Sequence, residues 1–254
     1  GLLYFQRGRC NTLSWVAIKN DLDPGMGSTL YGTSSGDVLN GTSAHDTIMG
    51  YDGADTVSGG AGNDQLYGGD GNDTIYGQAG DDLINGEGDA DTLYGGDGND
   101  NINGSSGDDT IYGGNGDDEI NGSSGADTLY GEEGADSIFG GDGNDILRPG
   151  TGGNLVEGGT GDDIYEYTSG HDFYDEMSGS GSDKIVLPSG IVFGDLTFSQ
   201  RNLYSHYGSL IIEVGSLGSI ETRMFQSGQF VSSRIETIEF SDTSTLDWSS
   251  VTNV

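Results

Sequence analysis

From Gly32 to Glu166 a large apolar residue returns at every ninth position: Leu39, Ile48, Val57, Leu66, Ile75, Ile84, Leu93, Ile102, Ile111, Ile120, Leu129, Ile138, Leu147, Val156 and Tyr165. Glycines and short polar residues fill the intervals. A period of nine is neither the 3.6 of an amphipathic helix nor the 2 of a single strand. It is the mark of a stacked repeat, in which each unit buries its apolar residue only against its neighbours. Each nonapeptide divides into a six-residue turn and a three-residue strand, with the apolar residue pointing inward and its two neighbours outward. Two consecutive repeats then form one flattened coil, and repeats n and n+2 stack at the strand spacing of about 4.8 Å. The fifteen repeats predict about seven coils and a rod roughly 35 Å long at that spacing.

The period is absent on either side. Residues 1–31 are mixed, with one candidate strand over Leu13–Ile18 and a turn signal at Asp23-Pro24-Gly25. Residues 167–254 alternate as separate strands over Lys184–Leu187, Leu196–Ser199, Ser209–Val214 and Ile235–Phe240, with Gly and Ser turns between them. The predicted fold is all-β: a parallel β-roll over 32–166, an N-terminal segment before it and a small C-terminal β domain after it.

Composition changes the picture in one respect. With 8 basic against 42 acidic residues the formal net charge is −34, and 49 of the 254 residues are glycine. On those figures alone much of the chain would be disordered. The strict period overrules that, but the acids still need a counter-charge. Nucleic acid is excluded as a partner, because there is no basic patch and phosphates would be repelled. Multivalent cations remain. The single cysteine, Cys10, allows no intrachain disulfide, and no apolar run is long enough to span a membrane. No signal peptide is visible. The chain opens on Gly1, as expected of a processed form or a fragment. Leu3-Tyr4-Phe5-Gln6 is close to an engineered protease site from which Arg7 departs, so residues 1–20 carry no functional argument.

The acids are placed by the repeat itself. The sixth position reads Asp37, Asp46, Asp55, Asp64, Asp73, Asp82, Asp91, Asp100, Asp109, Asp118, Asp127, Asp136, Asp145, Asn154 and Asp163. Stacking n on n+2 gathers them in two columns. One runs Asp37, Asp55, Asp73, Asp91, Asp109, Asp127, Asp145, Asp163, and the other Asp46, Asp64, Asp82, Asp100, Asp118, Asp136. Carboxylates so close cannot all ionise unless cations lie between them. Carboxylate and carbonyl oxygens with no His or Cys nearby select Ca²⁺ over zinc or copper. A flexible Gly/Asp linker would have no reason to hold an apolar residue at every ninth position. The end repeats are worn: Ser35 and Ala44 replace the fourth-position glycine, and the fourteenth repeat starts with Pro149 and carries Asn154.

Blocks such as Gly-Gly-Asp-Gly-Asn-Asp-Thr-Ile-Tyr (68–76) and Gly-Gly-Asp-Gly-Asn-Asp-Asn-Ile-Asn (95–103) follow G-G-x-G-x-D-x-U-x, with U a large apolar residue. In this the chain resembles the RTX (repeats-in-toxin) haemolysin-type calcium-binding proteins. That resemblance implies a calcium-stabilised β-roll in which one turn offers carbonyls 2 and 4 plus its Asp, and the turn two repeats on offers carbonyls 1 and 3 plus its Asp. One implied site uses Gly69, Gly71 and Asp73 with Gly86, Gly88 and Asp91. One in the other column uses Gly60, Gly62 and Asp64 with Gly77, Ala79 and Asp82. The columns offer seven and five gaps, a ceiling of twelve ions, and leaving out the degenerate first repeats gives about ten. Segments from Asp183 to Phe240 resemble, more loosely, the domain that often follows such repeats, and Leu246–Val251 resembles the end of a type I secretion substrate. The family implies export from a Gram-negative cell and folding on extracellular Ca²⁺.

One feature belongs to this chain. Thr56, Thr74, Thr92, Thr110 and Thr128 recur at position 7 of alternate repeats, and Tyr76, Tyr94, Tyr112 and Tyr130 at position 9, while the opposite face carries Asn85, Asn103 and Asn121. Stacking of like residues across strands is one account of such ladders. The other is a contact surface for self-association, a carbohydrate or a flat solid such as ice, since an exposed aromatic row marks such sites. No catalytic centre is apparent. His45, His171 and His206 are isolated, there is no HExxH, and Gly32-Thr33-Ser34-Ser35-Gly36 fits G-x-S-x-G without the strand-to-helix elbow that motif needs. The expected function is that of a non-enzymatic, secreted, calcium-binding structural or adhesive protein. A folding and secretion module of an RTX protease, lipase or epimerase, and a filament or surface-layer subunit, are the alternatives.

Overall fold

The computed structural model describes residues 27–175, 181–203, 207–225, 235–240 and 244–247. The candidate strand at 13–18, the turn at 23–25 and most of the tail at 246–251 lie outside them. Among the described residues no helix is long and apolar enough to cross a membrane.

The strands run in chain order as β1 (Thr29–Tyr31), β2 (Val38–Asn40), β3 (Thr47–Asp52), β4 (Thr56–Ala61), β5 (Gln65–Asp70), β6 (Thr74–Ala79), β7 (Leu83–Gly88), β8 (Thr92–Asp97), β9 (Asn101–Ser106), β10 (Thr110–Asn115), β11 (Glu119–Ser124), β12 (Thr128–Glu133), β13 (Ser137–Asp142), β14 (Ile146–Arg148), β15 (Leu155–Thr160) and β16 (Ile164–Glu166). Beyond these lie β17 (Gly170–Tyr174), β18 (Asp183–Val186), β19 (Leu196–Leu203), β20 (Tyr207–Val214), β21 (Gly218–Phe225), β22 (Ile235–Glu239) and β23 (Thr245–Asp247). Odd strands from β1 to β17 form one sheet and even strands from β2 to β18 the other, every neighbour parallel and two strands apart in sequence. The register step is 18 residues, as in Ile111↔Leu129 and Ile102↔Ile120. This is a parallel β-roll.

The eighth-position apolar residues fill the space between the sheets. From Ile48 to Tyr165 each is at most 1% exposed. Interior strands are six residues long rather than the expected three. Pairing runs on through the first three positions of the following turn, as in Gly114↔Glu132 and Asn115↔Glu133. The turn edges are therefore part of the sheets, and this brings their backbones into the stack.

Both boundaries drawn from the sequence need correction. At the N-terminal end Leu30 lies opposite Ile48, so 29–31 already belong to the roll. At the other end the stack passes Glu166 without a break. β17 pairs with β15, and Tyr174 sits fully buried opposite Val156. β18 pairs with β16, and Ile185 takes the core position opposite Tyr165. Residues 167–175 thus form another repeat, with Asp172 sixth and Tyr174 eighth. Ser-Gly-Ser-Gly-Ser-Asp-Lys-Ile-Val (178–186) matches x-G-x-G-x-D-x-U-x after two inserted residues, and that insertion hides it from a strict nine-residue count. The C-terminal strands continue the same two sheets: β21, β20 and β19 follow β17, and β22 and β23 follow β18.

On the outer face of the even sheet the Thr and Tyr ladders form in register. Tyr76, Tyr94, Tyr112 and Tyr130 stack ring on ring, with centroids 4.9, 4.9 and 4.5 Å apart and planes within 9°. Arg148 closes the row, its guanidinium 5.0 Å from the Tyr130 ring and paired with Glu166 at 2.7 Å. On the odd sheet the Asn ladder is locked by hydroxyls: Ser105 Oγ donates to Asn85 Oδ1 at 2.8 Å and Ser123 Oγ to Asn103 Oδ1 at 2.9 Å.

Candidate metal centre

Each turn is set by two backbone requirements. Positions 2 and 4 take positive φ, as at Gly69 (118°) and Gly71 (122°), a region open to glycine at little cost. Position 1 is glycine for space. A Cβ on Gly68, Gly77 or Gly86 would overlap Oδ2 of the turn's own aspartate, Asp73, Asp82 or Asp91. The carboxylate folds back over that bare Cα. In the fourteenth repeat Pro149 brings a Cβ to position 1, and there the sixth residue is Asn154.

The structure brings all fourteen predicted aspartates into two stacks, one along each turn edge. From Asp55 to Asp163 each is at most 3% exposed. Their two oxygens differ. Oδ1 accepts the backbone N–H of the residue 18 positions earlier, as from Asp73 to Asp91 (2.7 Å) and from Asp82 to Asp100 (2.8 Å). Oδ2 is buried and has no hydrogen-bond partner in Asp55, Asp64, Asp73, Asp82, Asp91, Asp100, Asp109, Asp118, Asp127, Asp136, Asp145 and Asp163. A buried carboxylate oxygen left without a donor is costly, and twelve in two files are a built-in demand for positive charge.

The two N-terminal aspartates are different. Thr33 donates to Asp37 Oδ2 through N (2.6 Å) and Oγ1 (2.8 Å), and Thr42 does the same for Asp46 (2.5 and 3.0 Å). A threonine at position 2 thus satisfies the oxygen that the interior turns leave bare. Asp37 is also only half-buried.

Burial and the neighbouring carboxylates raise the acids of the metal-free stack. Burial pushes Asp91 up to about 8, and Asp82, Asp118 and Asp145 up to about 7. Asp64, Asp73, Asp100, Asp127 and Asp136 rise to about 6 for the same reason, with the backbone N–H on Oδ1 opposing the shift. The folded chain without metal therefore holds more protons than the unfolded chain, and its stability falls as pH rises from about 4 to about 8. Acid should partly replace the cation. In EDTA, circular dichroism is expected to show more β-structure near pH 5 than at pH 7.5. Equal or smaller signal near pH 5 would contradict the buried stack.

The donor set fits a hard cation. Among the described residues no three His, Cys, Asp or Glu side chains gather to hold a metal, so an ion must draw on backbone carbonyls beside two carboxylates. Those carbonyls line the same edge. The Gly62, Gly80, Gly98 and Gly116 oxygens point at the next fourth-position residue along the stack, where a Cβ on Gly80, Gly98, Gly116 or Gly134 would strike them. Of the carbonyls proposed as ligands from the sequence, that of Ala79 already accepts Gly62 N–H at 2.7 Å, which leaves it one lone pair. All-oxygen coordination by carboxylate and carbonyl is calcium chemistry.

A family model described as the RTX calcium-binding nonapeptide repeat (4 copies) matches residues 31–66, 58–93, 67–102, 94–129, 112–147, 121–156 and 150–174. These stretches cover 31–174 without a gap, more than half of the 254 residues. The chain belongs to this family. Its RTX repeats bind calcium. No curated protein matches the chain.

The family match and the stacked geometry agree on 31–174. The sequence reading missed Asp172 and Asp183, which extend the two stacks: Asn154 N–H donates to Asp172 Oδ1 (3.2 Å) and Asp163 N–H to Asp183 Oδ1 (2.9 Å). The 18-residue step from Asn154 to Asp172 was the available signal. It also missed Ser28, whose N–H completes the other end on Asp46 Oδ1. The histidines in the described residues are in structural roles: His45 Nδ1 lies 2.8 Å from Asn63 N, and His171 Nδ1 lies 2.8 Å from Ser219 Oγ.

Proposed function

We propose that this chain is a secreted, non-enzymatic structural protein that crosses the cell envelope of a Gram-negative bacterium unfolded and folds into a rod on meeting extracellular Ca²⁺. The observation that carries the reading is the double file of twelve buried carboxylate oxygens without a partner. At neutral pH such a file is strongly disfavoured where free calcium is scarce. It can form where calcium is about millimolar, the range of weak extracellular sites, because binding then supplies the folding free energy. The interior sites use Gly69, Gly71 and Asp73 with Gly86, Gly88 and Asp91, and Gly60, Gly62 and Asp64 with Gly77, Ala79 and Asp82, repeated along each column. About ten ions fill the regular turns. Co-expressed with a type I exporter, the chain should accumulate in the medium. Retention in the cytosol, while a control substrate is exported, would overturn the secretion reading.

The Tyr and Thr ladders favour an addition to this reading: the rod pairs with a second copy of itself. From β2 to β12 the seventh- and ninth-position residues of the even sheet carry no charge, on a chain of net charge −34, and the nearest carboxylates, Asp97, Glu132 and Glu133, lie at the turn edge of the strands. Two copies can meet over the Thr and Tyr rows without opposing carboxylates there. The tyrosines form a ridge and the threonines a parallel groove. A twofold axis along the rod sets each ridge in the other copy's groove, whereas an axis across the rod sets ridge on ridge. The face is small against a standard interface of about 800 Å² per partner, so the pairing is weak. Ring faces are spent on one another, so a sugar could stack only at the open end, Tyr76. Replacing all four tyrosines with Asn should leave calcium-driven folding intact and abolish association in sedimentation at high protein concentration. Association that survives would assign the ladder to sheet packing alone.

A further inference from the structure

The two stacks end differently where the roll meets the C-terminal strands. In the stack beside the odd sheet, the sixth-position residue before Asp172 is Asn154, and its side-chain amide donates to Asp172 Oδ1 at 3.0 Å. That junction is held by a neutral donor. The next residue in line is Ile220, fully buried opposite Asp172, so the stack closes on an apolar side chain. In the stack beside the even sheet no amide intervenes. Asp163 faces Asp183, both buried, at 0% and 1% exposure.

This second junction repeats each element of an interior turn pair. Asp163 N–H donates to Asp183 Oδ1 at 2.9 Å, as Asp145 N–H does to Asp163 Oδ1 at 2.8 Å. Gly181 has φ of 147°, and a Cβ there would strike the Gly161 oxygen, as a Cβ on Gly161 would strike that of Gly143. Asp163 Oδ2 is buried without a hydrogen-bond partner. Yet Asp183 lies beyond the family match, which ends at residue 174, and two inserted residues separate it from the nine-residue register. The strand it opens, β18, is also the one on which β22 docks in parallel, and Lys184 pairs with Glu239 of β22 at 2.9 Å.

We propose that Asp163 and Asp183, with the Gly161 carbonyl, hold a further calcium ion across the C-terminal edge of the family match, and that this ion fastens the C-terminal strands to the roll. The site rests on the calcium-binding reading of the repeats. It adds a consequence that the repeats alone do not have: docking of β18 and β22 depends on calcium, whereas the neighbouring Asn154–Asp172 junction is made by a hydrogen bond.

Native mass spectrometry of the full chain in calcium buffer should count one ion fewer in Asp183→Asn than in the unsubstituted protein. Hydrogen exchange should show faster amides in 183–186 and 235–239, with 110–115 unchanged. Lys184→Met, which removes only the ion pair, should keep the full ion count. Asn154→Asp, which restores a facing carboxylate pair at the other junction, should gain at least one ion, and it carries the test if Asp183→Asn does not fold. An unchanged ion count in Asp183→Asn, or in Asn154→Asp, would overturn the proposal. A full chain that binds no calcium at all would instead overturn the reading beneath it.

Discussion

Chelation of calcium is expected to abolish the β-sheet signal of the whole roll and to expand the chain, reversibly. Adjacent carboxylates in a stack lie about one strand spacing apart, about 4.8 Å. At an effective dielectric constant near 20, two unit charges at that distance repel by about 3 kcal/mol. Seven such oxygens in one file and five in the other leave ten neighbouring pairs, which when fully ionised oppose folding by about 30 kcal/mol, about twice the upper end of the net 5–15 kcal/mol that typically separates folded from unfolded domains. The core cannot make up the difference, because it holds one apolar side chain per nine residues. Calcium between the carboxylates reverses the sign of this contribution. Since each interior aspartate serves the gaps on both sides of it, recovery on adding Ca²⁺ should be cooperative. Mg²⁺ should not replace it, because magnesium demands tight octahedral geometry and gives up its water reluctantly. Circular dichroism and light scattering in EDTA, then in rising Ca²⁺ or Mg²⁺, provide the measurement. A β signal that persists in EDTA at neutral pH would refute calcium-driven folding.

The fold and the interior of the site were legible because one physical requirement recurs without interruption. An apolar residue at position 8 must face the core, and the glycine at position 1 must leave room for the aspartate at position 6. The period therefore predicts both the inward column from Ile48 to Tyr165 and the stacks from Asp55 to Asp163. The ends were not legible, because there the same geometry is met by other residues. Ser28 and Leu30 continue the first coil with no aspartate to mark it. Asp172 and Tyr174 keep the spacing, but Tyr167 begins that repeat where glycine is the rule. Two extra residues before Ser178 shift the next repeat out of register, and the pairing of Ile185 with Tyr165 becomes visible only in space. Alternation located the cores of β18, β19, β20 and β22. It did not disclose that these strands prolong the two sheets of the roll, since an alternating strand gives no sign of its neighbour. Whether a side-chain oxygen is satisfied was equally hidden: Asp37 and Asp91 look alike in sequence, yet Thr33 completes one and nothing in the described chain completes the other.

Ending the chain after Glu166 should raise the calcium concentration needed for folding by about twofold, without preventing it. The cut removes β17 and β18, which cover the last coil, and the strands that continue both sheets beyond them. Val156 and Tyr165, both fully buried in the intact chain, then face water, at a cost of about 1.5–3 kcal/mol each. Backbone groups on β15 and β16 lose their partners as well, and become a bare edge open to pairing with other chains. The total of roughly 5 kcal/mol must come from calcium binding. Shared among about ten ions bound in one transition, it asks each for about half a kilocalorie, which is close to a twofold rise in free calcium. The remaining interior coils keep their own contacts, so the folded roll itself should still form. Calcium titration of the truncated and full-length chains, followed by circular dichroism, reads the shift directly. An unchanged midpoint would mean that the C-terminal strands do not cap the roll, and complete loss of folding at saturating calcium would mean that they are needed to start it.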